Sequence, residues 1–182
     1  SSSCYSNLSI TCALIPGTGA GNVAPTLFDC VDPSPMLRTL EIWVYKGAAI
    51  LPGKCNNFKF YWESCCRPPG LTNIPQSSGK GFYFDALLNN NPGDNSSPVF
   101  VSEPVRAFCV GNNFNWKHTA IEPDGDSLYY SLISCREIKS SNTSPTDVPF
   151  NPGWTAQHPI STSAGSPGIM TMNNQTGNIN FT

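Results

Sequence analysis

Ile121-Glu122-Pro123-Asp124-Gly125-Asp126-Ser127-Leu128-Tyr129-Tyr130-Ser131-Leu132 carries two patterns end to end. Its first half crowds three carboxylates, Glu122, Asp124 and Asp126, into five residues around Gly125. Its second half alternates. Leu128, Tyr130 and Leu132 fall on one side of an extended chain, Tyr129 and Ser131 on the other. A period of two predicts a half-buried strand, so an acidic loop feeds directly into a strand. Carboxylates this close repel one another unless a positive charge sits among them. Ca²⁺, which takes about six to eight oxygen ligands in flexible geometry, suits such a cluster. A polar Asp-Gly turn between two strands fits the same residues. Spacing alone leaves both readings open.

The composition around this stretch narrows the class. The chain has 182 residues, room for one large or two small domains. Charged residues make up 12%, against a usual ~25%. Lys and Arg total 10 with no basic run, which argues against a nucleic-acid partner. The net charge of −2 says little about partners. Gly, Pro, Asn and Ser are plentiful and aromatic residues reach 11%, a mixture that suits short strands joined by many turns. No apolar run approaches the ~18 residues of a membrane-spanning helix, so no membrane insertion is expected. There is no basic-then-apolar leader, so a signal peptide, if the precursor had one, is expected to be gone.

Eight cysteines are present: Cys4, Cys12, Cys30, Cys55, Cys65, Cys66, Cys109 and Cys135. An even count in a Lys-poor chain predicts disulfides and an oxidising compartment. There is no Cys-x-x-Cys pair, and only His118 and His158 could join a cluster, so a structural zinc site is not expected.

Along the chain, Gly17-Thr18-Gly19-Ala20-Gly21 lacks the Lys of a phosphate loop and predicts a surface turn. Leu40, Ile42 and Val44 alternate with Glu41, Trp43 and Tyr45, which predicts a strand. Phe58, Phe60 and Trp62 alternate with Lys59, Tyr61 and Glu63 in the cleanest period-two segment of the chain. Pro68 and Pro69 end it. Adjacent cysteines on a strand point to opposite faces, so Cys65 and Cys66 are expected to have different partners. A further strand is expected over 81–88.

Residues 89–97 are polar and turn-rich and mark a domain boundary, giving domains 1–94 and 95–182. Six cysteines precede it and two follow, so Cys109 and Cys135 pair with each other if no bridge crosses it. The six in the first domain leave the pairing open. In the second domain, strands are expected at 105–109 and 114–120. His118 lies on the aromatic face of the latter, as a core histidine or as a ligand. Residues 169–181 predict a hairpin turning at Asn173-Asn174-Gln175-Thr176-Gly177. The chain stops in what looks like a strand, so continuation beyond Thr182 is expected.

Three of these segments resemble a known family. Asp94-Asn95-Ser96-Ser97-Pro98-Val99-Phe100 resembles the cadherin linker, in which Asp-Asn precedes x-Pro-x-Phe. Ala120 to Leu132 resembles the cadherin-like Ala-x-Asp-x-Asp-Gly-Asp-x-Leu-x-Tyr motif, with Glu122 at the first acidic position. The closing Thr176-Gly177 turn is similar to that family's last hairpin. Trp62-Glu63-Ser64-Cys65-Cys66-Arg67 is similar to a segment of extracellular Bacteroidetes proteins, including large gliding-motility adhesins of the SprB-like kind secreted by the type IX route. There the run is usually Cys-Cys-Arg-Asn, whereas Pro68 follows Arg67 here. The resemblance covers about two thirds of the chain and none of residues 1–38.

It implies an all-β, disulfide-bonded chain of two tandem immunoglobulin-like, cadherin-like β-sandwich domains, an N-terminal Cys-rich one and a C-terminal cadherin-like one. It also implies a calcium site drawn from two places, Asp94 and Asn95 in the linker and Glu122, Asp124 and Asp126 in the loop. The expected function is a structural or adhesive module of a bacterial cell-surface adhesin or filament, partnered by neighbouring domains or subunits. A carbohydrate-binding module, with glycans as partners of exposed Trp and Tyr, is the alternative. An enzyme is not expected, since the one acidic cluster is too tight and turn-like for opposed catalytic carboxylates.

Overall fold

The structure, a computed structural model, describes residues 8–19, 23–24, 40–102, 113–139, 144–163, 166–167 and 170–181. Among these the strands are β1 (Ala13–Leu14), β2 (Val23–Ala24), β3 (Leu40–Glu41), β4 (Tyr45–Lys46), β5 (Phe58–Ser64), β6 (Phe82–Leu88), β7 (Val99–Phe100), β8 (Phe114–Lys117), β9 (Ala120–Ile121), β10 (Arg136–Glu137), β11 (Thr146–Asp147), β12 (Ser161–Ser163), β13 (Ser166–Pro167), β14 (Met170–Met172) and β15 (Asn178–Phe181). The one helical turn among them is a 3₁₀ turn at Ser77–Gly79, so the class is all-β as expected. The expected strand at 105–109, with Cys4, Cys30 and Cys109, lies outside the described residues.

The longest ladder is β5 against β6. It is antiparallel and runs from Phe58 opposite Leu88 to Ser64 opposite Phe82. Alternation sorts its side chains. On one face Trp62 stacks on Phe84 (5.9 Å between ring centroids), Phe84 follows Phe82 (6.3 Å), and the Arg67 guanidinium caps Phe82 at 4.3 Å. On the other, Tyr61 stacks on Tyr83 at 5.8 Å, and Arg136 lies over Tyr83 while pairing with Asp85. Aromatic cross-strand pairs of this kind each add a fraction of a kcal/mol, up to about 1.

β10 and β11 complete this sheet in the order β11-β10-β6-β5, with Arg136 opposite Tyr83. The sheet therefore draws strands from both sides of the expected boundary at 94/95. Loops reinforce the crossing. The Asn73 side chain donates to the Pro159 carbonyl (2.7 Å), and the Asn151 amide and side chain donate to the Asn73 and Thr72 carbonyls (2.9 and 2.8 Å). The start of the polar run at 89–97 is likewise tied back to the first half, because the Asn90 N–H donates to the Cys55 carbonyl (3.0 Å) and the Asn90 side-chain oxygen accepts the Cys55 N–H (2.6 Å).

A second sheet, β14-β15-β8, is antiparallel throughout. Its inner face forms a core of Met170, Ile179 and Phe181 against Phe114, Trp116, Leu132, Ile160 and Met172. The expected closing hairpin is present as β14–β15. Its turn is built by Asn173, whose side-chain oxygen accepts the Gln175 and Thr176 N–H groups at 2.9 Å each. Gly177 then takes φ +72°, a region that favours glycine.

Two expected strands form differently. The alternation at 40–45 predicts one strand, but the chain changes partner midway: β3 pairs with β2, β4 with β1. Between them Ile42 and Val44 carbonyls accept the Gly19 and Ile15 N–H groups, and the Trp43 ring lies against Gly19. The Gly17–Gly19 surface turn is thereby pinned. Residues 128–132 do alternate, with Leu128, Tyr130 and Leu132 half-buried and Tyr129 and Ser131 exposed, yet no ladder forms. Tyr130 N–H donates to the Asn174 carbonyl (2.8 Å), and the Tyr130 phenol oxygen accepts the Ala120 N–H (3.0 Å). A side chain here takes the place of a strand partner.

Candidate functional site

The linker and the acidic loop meet. β7 pairs with β9, Val99 opposite Ile121 and Phe100 opposite Ala120, which sets the segments before and after these strands side by side. Ser96 N–H donates to Asp124 Oδ2 at 2.5 Å, and the Ser96 hydroxyl reaches Oδ1 at 3.3 Å. Asp126 N–H donates to Glu122 Oε2 at 2.7 Å. Gly125 sits at φ +84°, so Pro123-Asp124-Gly125-Asp126 is a tight turn closed by its own carboxylates. Asn95 donates only to the neighbouring Ser96 carbonyl, at 3.4 Å.

Of the five expected calcium ligands, then, Asp124 is brought to the linker, but through Ser96. Among the described residues no three His, Cys, Asp or Glu side chains converge as a metal cluster. The donor chemistry, oxygen only, fits a hard cation. In this structure Asp124 accepts the Ser96 N–H and Glu122 the Asp126 N–H. The repulsion inferred from the sequence is relieved by amide donors.

The cysteines depart from expectation. Cys65 and Cys66 are bonded to each other across a cis peptide bond, not to separate partners. β5 ends at Ser64, so both lie past the ladder whose alternation would have separated them. Cys55 is disulfide-bonded and buried. Cys12 and Cys135 are free thiols, so the Cys109–Cys135 bridge is not formed. Cys135 immediately precedes β10 and its carbonyl accepts the Val148 N–H (2.8 Å), which places it with the sheet shared by the two halves.

His118 stacks on Phe100 at 4.5 Å and lies 4.6 Å from the Trp116 ring, with Nδ1 3.5 Å from the Ser102 hydroxyl. Burial holds its pKa below the ordinary imidazole value. It is half-buried among aromatic rings, and its Nδ1 faces the Ser102 hydroxyl.

Two features carried no sequence signal. Glu137 is 3% exposed, accepts the Gly81 N–H at Oε2 (2.9 Å), and has Oε1 3.8 Å from Lys80 Nζ. The second is the aromatic face of β5–β6. Trp62 is 58% and Phe84 60% exposed, although period two alone would place that face in a core. No family model, curated protein or solved structure matches this chain.

Proposed function

We propose that the chain is a structural and adhesive module of a secreted, cell-surface protein, of the cadherin-like, immunoglobulin-like kind found in bacterial gliding-motility adhesins and filaments, and that it performs no catalysis. The observation that carries this reading is the exposed aromatic sheet face of Trp62 and Phe84. A contiguous apolar surface of this kind marks a place where something else packs. Neighbouring domains or subunits of the same surface protein are its proposed partners. The β7–β9 pairing beside the acidic turn and the closing hairpin support the cadherin-like reading of the second half. Trp43, Tyr45 and Tyr61 are exposed as well.

Beads coated with the protein are expected to adhere to bacterial cells or to one another, and the double variant Trp62→Ala/Phe84→Ala is expected to abolish most of that adhesion while the melting temperature holds. Adhesion unchanged in the variant would sink the reading. Competition by free glycans would instead favour the carbohydrate-binding alternative, for which Trp43, 47% exposed and laid flat on Gly19, offers a platform.

Calcium enters the proposal as an additional tie across the 94–96 and 122–126 segments, drawing on Asp94, Asn95, Glu122, Asp124 and Asp126. A cation bound only by the folded state stabilises it by RT ln(1 + [Ca²⁺]/Kd). At a hundredfold excess over Kd that is about 2.7 kcal/mol, or roughly 5–10 °C in melting temperature for a chain this size. A melting temperature identical in millimolar Ca²⁺ and in EDTA would leave the hydrogen-bonded turn as the whole joint.

A further inference from the structure

We propose that β5 is a self-complementary edge, through which two copies of this chain pair antiparallel about a two-fold axis at Tyr61. In the four-stranded sheet β5 is terminal, and among the described residues it pairs with β6 alone. Seven residues with an unpaired outer edge are a template for a further strand. The sequence along that edge is Phe58-Lys59-Phe60-Tyr61-Trp62-Glu63-Ser64. Laid antiparallel on itself about Tyr61, it sets Lys59 opposite Glu63 twice, Phe60 opposite Trp62 twice, and Tyr61 opposite Tyr61.

The charges select this register. Lys59 and Glu63 are both exposed, and neither has an ion-pair partner among the described residues. Centring the axis on Phe60 or on Trp62 leaves the charges without opposite-sign partners. A parallel in-register pairing sets Lys on Lys and Glu on Glu. Opposite charges directly across a strand pair attract and like charges repel, so the one arrangement in which both charges are matched is the Tyr61-centred two-fold.

The faces agree with it. Lys59, Tyr61 and Glu63 share one face, while Phe60 and Trp62 share the other with Phe84. Pairing would join two four-stranded sheets into one of eight strands and merge their aromatic faces across the axis. An edge contact of seven residues is small beside a standard interface, so the dimer is a weak one. This inference stands apart from the adhesive reading: a monomer can adhere and a dimer need not.

Sedimentation of the whole chain up to about 0.2 mM, a range suited to a small interface, is expected to show a monomer–dimer equilibrium. Lys59→Glu is expected to weaken it roughly tenfold or more, as would Glu63→Lys, because each turns two attractive pairs repulsive. The double swap Lys59→Glu/Glu63→Lys is expected to restore it. Under mild oxidation Tyr61→Cys is expected to form a covalent dimer beyond the wild-type background from Cys12 and Cys135, since directly opposed Cα atoms lie about 4.5–5.5 Å apart, within disulfide reach. Lys59→Cys, whose copies would sit about 13 Å apart, is not. A wild-type monomer at the top concentration overturns the proposal. So do a dimer indifferent to Lys59→Glu, a double swap that fails to recover, assembly into larger species, or cross-linking at 59 as efficient as at 61.

Discussion

Gly177→Ala is expected to be among the most damaging single substitutions in the chain. An added Cβ would collide with the His118 carbonyl oxygen and come within 2.8 Å of the Tyr130 ring. It would do so at φ +72°, where any L side chain is already strained. Neither neighbour has room to give. The His118 carbonyl lies just past β8, which pairs with β15 from Lys117 opposite Asn178. The Tyr130 ring is anchored by the Ala120 N–H on its phenol oxygen and by its own N–H on Asn174. Backbone strain and overpacking together come to roughly 3–5 kcal/mol, or about 10 °C or more in melting temperature. Gly153→Ala separates the two causes. Gly153 has φ +89° and nothing within 4 Å of a Cβ, so only the backbone part, about 1–2 kcal/mol, is expected there. Equal losses at both positions in a denaturant titration would show that the Tyr130 lock does not exist.

Glu137→Ala is expected to cost about 3 kcal/mol. The carboxylate is almost wholly removed from water and serves two groups, the Gly81 N–H and the Lys80 ammonium, whose side chain is itself only 18% exposed. Truncation leaves a buried amide without its acceptor and a half-buried cation without its counter-charge. Breaking such an arrangement from one side costs far more than the arrangement contributes net. Glu137→Gln keeps an oxygen for Gly81 and gives up only the ion pair at 3.8 Å, so about 1 kcal/mol is expected. The ordering Ala worse than Gln worse than wild type is the readout. An alanine variant within about 0.5 kcal/mol of wild type would mean that water reaches the site.

Where neighbours in sequence are also neighbours in space, the sequence was informative. The β5–β6 ladder and the closing hairpin follow from alternation and turn residues, because each is paired locally. The 128–132 alternation correctly sorted Tyr130 inward and Tyr129 outward. It could not say that a tyrosine hydroxyl, and not a neighbouring strand, would hold the segment. β10 and β11 are two residues each, Arg136-Glu137 and Thr146-Asp147, with no apolar pattern to announce them. β10 pairs with β6, some fifty residues earlier in the chain, and β11 adds onto β10. For the same reason the polar run at 89–97 read as a boundary, although hydrogen-bonded partners lie on both sides of it. The acidic cluster was legible as a cluster and its contact with the linker was legible from the motif. That amide donors would satisfy the carboxylates was not, since backbone N–H groups leave no mark in a sequence. Cysteine pairing depends on the same long-range geometry, and Cys135 shows how parity fails once a sheet ignores the boundary it was counted against.

The return of β10 and β11 to β6 has a consequence for how the molecule comes into being. Residues 1–94, synthesised before residues 95–182, contain only two strands, β5 and β6, of the four-stranded principal sheet. The inner edge of β6 stays bare until Arg136 and Glu137 of β10 have followed. The nascent chain must therefore wait, or be held, with Tyr83 uncovered and Gly81 lacking its carboxylate. Truncation between the halves would leave two incomplete pieces, each lacking strands that the other supplies.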